Sequence, residues 1–130
     1  MDLIKKISTS EIFPEVKIVE FDIFSDHRGL IWTSFMSDIS QRFLPENISF
    51  KHDKFNTNKK GVLRGIHGDE KTWKLVSCPF GHIEQVIVDL RKESKNFKRW
   101  VKFELNEGNK IAILIPPGFG NAFCTLSNEA

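Results

Sequence analysis

Tyrosine is absent from this chain, although phenylalanine occurs twelve times and tryptophan three times. Its absence removes one of the common proton donors of enzyme sites, so an acid or base must be sought among His, Lys and the carboxylates. No stretch approaches the roughly 18 apolar residues that a membrane-spanning helix needs. Met1 to Lys6 has no long apolar segment behind its charges, so no secretory signal is read there. Only two cysteines occur, Cys78 and Cys124, both in strand-like apolar surroundings and not as a CxxC pair. Two lone cysteines without a signal read as buried thiols of a reducing compartment, so the expected location is cytoplasmic. The net charge of +2 is too small to argue for nucleic acid or an anionic membrane surface as a partner. A GxSxG elbow, a P-loop and a GxGxxG turn are all missing, and the carboxylates show no pairing suited to glycoside chemistry.

What is present points to sheets. A chain of 130 residues is one domain's worth, long enough for a single core and too short for two. Phe and Trp without Tyr suit the thick interior of stacked sheets. Val16 to Phe24 alternates apolar and polar residues, the signature of a half-buried strand. Asp26 to Gly29 supplies a turn, and Leu30 to Phe35 resumes as a strand. Ser37 to Phe43 carries the one helical pattern, with Ser37 or Asp38 as cap and Pro45 as the stop. Short strands are then expected at Ile48–Phe55, Gly61–Ile66, Trp73–Ser77, His82–Leu90, Trp100–Leu105, Ile111–Ile115 and Ala122–Leu126. Many short strands with almost no helix predict an antiparallel sandwich or jelly-roll barrel, whose open mouth takes small ligands.

Two segments could carry chemistry. In Gly61 to Lys74 (GVLRGIHGDEKTWK) an extended chain puts Arg64 and Ile66 on one face and Leu63, Gly65 and His67 on the other. A residue next to Gly can bulge and change that facing. His67 beside Arg64, Lys74 and Asp69 is the mixture a general base needs: a carboxylate to orient the imidazole and cations to hold an anionic ligand. The bland alternative is a structural or surface histidine. The second segment, Gly108 to Phe123 (GNKIAILIPPGFGNAF), is a strand, a Pro-Pro-Gly turn and a polar Asn121 at the start of the next strand. It resembles the second motif of cupin barrels. Metal-binding cupins have a His at the Asn121 position and a His-x-His pair where this chain has His67 and Asp69. His27, His52, His67 and His82 show no zinc or iron spacing, so neither metal nor other cofactor is expected. Lys51 to Lys54 and Lys59-Lys60 are local basic runs that suit either a phosphate-bearing ligand or a solvated loop.

At Arg64-Gly65-Ile66-His67, Lys74-Leu75-Val76, Val88-Asp89-Leu90-Arg91 and Ile115-Pro116-Pro117-Gly118-Phe119 the sequence resembles the dTDP-4-dehydrorhamnose 3,5-epimerase family. The ordered match begins at Asp26-x-Arg28-Gly29. It implies a metal-free, all-β, cupin-type antiparallel jelly roll with one short helix near the N-terminus, forming one domain over residues 1–130. It also implies an epimerase inverting C3, C5 or both beside the C4 ketone of a nucleotide-linked 4-keto-6-deoxy sugar. By the same resemblance His67 is the general base, and Lys74 is the cation beside the developing enolate oxygen. Arg28 and Arg64 contact the diphosphate-sugar, His52 and Lys54 the nucleotide, and Asn121 lines the pocket. A homodimer with exchanged N-terminal strands is implied, and no nucleic acid or membrane partner.

The departures matter as much. The dTDP-rhamnose enzymes usually have Gln and Asn where His52 and Lys54 stand, a longer loop between the His and the Lys, and a His at the Asn121 position. These differences resemble epimerases of GDP-linked 4-keto-6-deoxy heptoses in capsule biosynthesis. The family's Tyr acid, and the Asp that tunes its His, lie beyond the position matching Ala130. The expectation is therefore a family domain without its C-terminal strands. Three readings follow: a shortened form of a larger enzyme, one using water or Lys74 as the acid, or an inactive relative that binds a sugar nucleotide. A sugar-nucleotide 3,4-ketoisomerase is the nearest other enzyme, but it generally carries paired histidines where this chain has His67 alone.

Overall fold

Where apolar and polar residues alternate, the chain forms strands at most of the expected places. The computed structural model describes residues 2–130; Met1 lies outside the described residues. In chain order the elements are β1 (Ile4–Thr9), β2 (Lys17–Phe21), β3 (Phe24–Asp26), β4 (Gly29–Ile31), the helical turn α1 (Ser37–Ser40), β5 (Leu63–His67) and β6 (Lys74–Ser77). They continue as β7 (His82–Asp89), β8 (Trp100–Asn106), β9 (Ile111–Ile115) and β10 (Phe119–Thr125). One sheet has the order β1-β2-β9-β6, the other β5-β10-β7-β8, and β3 and β4 form a separate ribbon. All the strand pairings are antiparallel.

The interior lies between the two sheets. Ile83 and Ile87 of β7, Leu105 of β8 and Phe119 of β10 meet Ile113 and Ile115 of β9, with Phe13, Val16 and Cys78 closing the cluster. Phe13 packs edge-on to Phe119, with ring centroids 5.2 Å apart. A second cluster covers the other face of the first sheet: Ile4, Val19, Phe21, Ala112 and Leu114 pack under Phe43 and Leu44. β9 is therefore buried on both faces, which explains its unbroken apolar run. Each fully buried Ile or Phe side chain contributes roughly 1.5–3 kcal/mol, so these two clusters hold the sheets together.

Several expectations need correction. β1 did not show in the alternation because a bulge between Ile4 and Lys6 shifts its register against β2 and breaks the period of two. Ile48–Phe55 forms no strand. Ile48 and Phe50 instead pack on the outer cluster, and this burial needs no ladder partner. The helix is one turn, capped by an extended Met36 without a side-chain cap; Ser37 and Asp38 lie inside it. β10 begins three residues earlier than read, at Phe119.

Candidate active site

β5 and β6 are the edge strands of the two opposed sheets, joined by a short loop. Pairing shows which of their side chains turn inward, because directly opposed residues of antiparallel strands share a face. On β10 the inward residues are Phe119, Asn121, Phe123 and Thr125, paired with the buried Asp89, Ile87, Gln85 and Ile83 of β7. His67 lies opposite Asn121 and Arg64 opposite Phe123. Three steps along β5 thus match two along β10, and this bulge brings Arg64 and His67 to the same inward face. Simple alternation had separated them. Lys74 lies opposite Ile115 and so faces the same interior from the other sheet.

Hydrogen bonds organise the second sheet's half of this site. The Asn121 side chain donates through Nδ2 to the His67 carbonyl oxygen at 3.1 Å. Its Oδ1 accepts from Gln85 Nε2, also at 3.1 Å. Gln85 is completely buried, and its Oε1 has no partner among the described residues. Arg64 donates through Nε to Asn58 Oδ1 at 2.5 Å, and Asn58 is itself buried. Gly65 and Gly68 allow the close approach of β5 to β10. A Cβ on Gly65, whose φ is +112°, would stand 2.6 Å from the Asn121 carbonyl oxygen, and one on Gly68 would stand 2.5 Å from that of Phe119.

Asp69 does not orient His67. Its carboxylate accepts from the backbone N–H of Lys71 and Thr72 and from the Thr72 hydroxyl, at 2.6–2.7 Å. The Thr72 hydroxyl first, then these backbone donors and the nearby charge of Lys74, hold its pKa below the usual carboxylate value. The Asp69 carbonyl oxygen accepts from Gly118 N–H at 2.8 Å, tying the loop to the Pro-Pro-Gly turn. Asp69 is a loop former, and Lys74 follows from the loop it shapes.

The remaining expected residues stand apart. Arg28 pairs with Asp26 inside the β3–β4 ribbon, its guanidinium 2.5 Å from the carboxylate. This pair raises the Arg28 pKa and lowers that of Asp26. His52 and Lys54 lie in an exposed segment outside any strand. Gln85 and Asn58 were not anticipated. Gln85 did leave a signal: it occupies the inward phase of the regular β7 alternation, between Ile83 and Ile87, where an apolar residue is the rule.

The model of the dTDP-4-dehydrorhamnose 3,5-epimerase family matches residues 10–130. The chain belongs to this family. It is 38% identical over 120 residues to the dTDP-4-dehydrorhamnose 3,5-epimerase of Salmonella typhimurium, covering 90% of this chain and 66% of that protein. The Pseudomonas aeruginosa protein of the same description is 34% identical over 125 residues, covering 95% and 69%. Among solved structures, the Legionella pneumophila dTDP-6-deoxy-D-glucose-3,5-epimerase in complex with dTDP-4-keto-L-rhamnose aligns with a TM-score of 0.89 at 36% identity, over 95% of this chain and 66% of that one. The chain thus spans about two thirds of the length of these relatives. The fold is the cupin-type barrel of these epimerases, nearly all β with one short helix. Among the described residues no three His, Cys, Asp or Glu side chains come together to hold a metal ion, and no helix is long and apolar enough to cross a membrane.

Proposed function

We propose that the chain serves as the base-bearing domain of a nucleotide-sugar epimerase acting on C3, C5 or both of a 4-keto-6-deoxy sugar. The observation that carries this reading is the convergence of Arg64, His67 and Asn121 on one inward face, opposite Lys74. His67 takes the proton beside the C4 ketone. The C–H electron pair moves into the C3–C4 or C4–C5 bond as the carbonyl becomes an enolate. Lys74, entering from the other sheet, stabilises the negative oxygen with its positive charge. Reprotonation from the opposite face inverts the centre.

Arg64 and Arg28 are assigned to the diphosphate, where a planar guanidinium makes paired hydrogen bonds. His52 and Lys54 are assigned to the nucleotide. Asn121 in place of a histidine, with the His52 and Lys54 pair, favours a GDP-linked heptose of capsule biosynthesis as substrate. A homodimer belongs to the same reading. Leu30, Ile31, Phe55, Leu63 and Ile66 are exposed on the ribbon, the extended segment and β5, and a second copy would cover them. β1 pairs with β2 of its own chain, and the proposed exchange would remake that pairing between copies. The domain is assigned to residues 1–130 and its location to the cytoplasm. The second reading is a domain that binds a sugar nucleotide without turning it over, and the exposure of His67 and the rest of β5 in the single chain favours it.

The test is solvent exchange. With GDP-linked 4-keto-6-deoxy-heptose in D₂O, NMR should show deuterium entering C3 or C5 with the native chain and none with His67→Asn. Parallel incubation with the dTDP-linked 4-keto-6-deoxy sugar reads the nucleotide preference. Binding without any deuterium entry would overturn the epimerase reading in favour of the binding domain.

A further inference from the structure

A carboxamide has two ends that differ in chemistry and hardly in shape, so a buried neighbour must choose which end faces where. At Asn121 that neighbour is Gln85. Gln85 comes from the middle of β7 and Asn121 from β10; Gln85 lies opposite Phe123, one inward position along from Asn121. Gln85 is fully buried, and Nε2 is the only donor of its side chain. Donating to Asn121 Oδ1 at 3.1 Å, it turns the Asn121 carbonyl away from His67 and the NH₂ towards it. One N–H of that NH₂ meets the His67 carbonyl oxygen at 3.1 Å. The second N–H has no partner among the described residues, and Asn121 is only half buried. The barrel mouth is therefore offered a donor.

We infer that Gln85 is a positioning residue: it locks the Asn121 amide with its NH₂ towards His67 and the mouth, so that a ligand oxygen meets an N–H and not a carbonyl. The inference rests on the epimerase reading for its catalytic meaning, while the orientation of the amide stands on geometry alone. The ligand group matched is an acceptor, a keto or hydroxyl oxygen of the sugar. Burial of a glutamine with Oε1 unpartnered is unfavourable, so a packing role alone would be better filled by Leu or Met. Neither Gln85 nor Asn121 titrates, and the chain directly links the support of His67 to groups whose hydrogen bonding is independent of pH.

Gln85→Glu and Gln85→Met test this in the full chain. An ionised Glu only accepts, so Asn121 must turn its NH₂ towards β7 and present its carbonyl to the His67 carbonyl, which it repels. A protonated Glu can donate and restore the native arrangement, and burial favours that form. In ¹⁵N-edited NMR the native Asn121 side-chain NH₂ should show NOEs to the His67–Gly68 backbone. In Gln85→Glu these should move to the residue 85 side chain as the pH is raised far enough to ionise the new carboxyl, and return on acidification. Turnover should fall roughly tenfold to a hundredfold in kcat with little change in KM, as for loss of a group that orients a ligand contact. The ratio of Gln85→Glu to native activity should climb as pH is lowered. The ionisable groups on the inward faces, Arg64, His67, Lys74 and Asp89, are common to both proteins, so the ratio isolates residue 85. Gln85→Met, which leaves the His67 carbonyl as the amide's one partner, should weaken these NOEs and lower kcat at every pH. Unmoved NOEs in both variants would overturn the inference, as would a flipped amide with native kcat. If the native chain itself exchanges no deuterium, the epimerase reading falls, and the NOEs still decide whether Gln85 orients Asn121.

Discussion

β10 has two neighbours, and they are unlike. β7 on one side alternates between half-buried and fully buried residues along its whole length. β5 on the other is exposed at all five positions, with Leu63 at 66% and Ile66 at 62%. β7 is held by what it buries, whereas β5 is held by its ladder to β10, by the closeness that Gly65 and Gly68 allow, and by the amide contact from Asn121. The residues with chemistry sit on the lightly packed strand, and the residue that steadies them, Gln85, sits on the heavily packed one. A reactive group here is placed by backbone fit and anchored from the core, not buried in it.

That contrast can be broken from either side. Ile87→Ala on β7 should cost about 3–4 kcal/mol, because it opens a cavity in the fully buried cluster; a denaturant titration reads it as a lowered midpoint. Gly65→Val should cost about 2–3 kcal/mol through its positive φ and the collision with Asn121. Its larger mark should be chemical, with deuterium exchange lost while the melt stays cooperative. Equal loss of stability and exchange at both sites would dissolve the distinction between the strands.

A third variant reads the end of β7. The buried Asp89 accepts from Arg91 Nε and Nη2 at 2.9–3.0 Å and from the Ser94 hydroxyl at 2.6 Å. Burial pushes its pKa up, but these bonds outweigh burial and lower it to about 2. A depressed carboxylate stabilises the fold above its unfolded value of 3.8, and that contribution is lost as pH falls through about 2. Acid unfolding should therefore steepen between these values, and Asp89→Asn should remove that steepening and cost about 1.5 kcal/mol at neutral pH. Leu63→Ala on β5 is the smallest, within about 0.5 kcal/mol in the single chain. A loss of several kcal/mol there would mean that β5 is covered in solution, as a second copy would cover it.

Regular alternation made β7 and β8 legible from residue order, β9 and β6 showed as short apolar runs between turns, and the Asp26 to Gly29 turn appeared where the ribbon folds back. The errors fall where the period breaks. The bulge in β1 hides that strand's period, and the bulge in β5 inserts a residue, so the facing deduced across it changes sides. Ile48 and Phe50 carry a strand's pattern without a strand's partner. At the site, His67, Lys74, Arg64 and Asn121 could be named from residue types and motif, whereas Asp69 was assigned to the imidazole because it is near in sequence. Its carboxylate found three donors nearer still, within its own loop.

By itself, the order of residues determined that this chain makes antiparallel sheets, which family it joins and which side chains carry charge or a proton, since those follow from period, turn residues and chemical type. Only the tertiary structure decided that Arg64 and His67 share a face, that Lys74 meets them from the opposite sheet, and that a buried glutamine holds Asn121. Those relations depend on register between strands distant in sequence, and a single inserted residue in an edge strand is enough to reverse them.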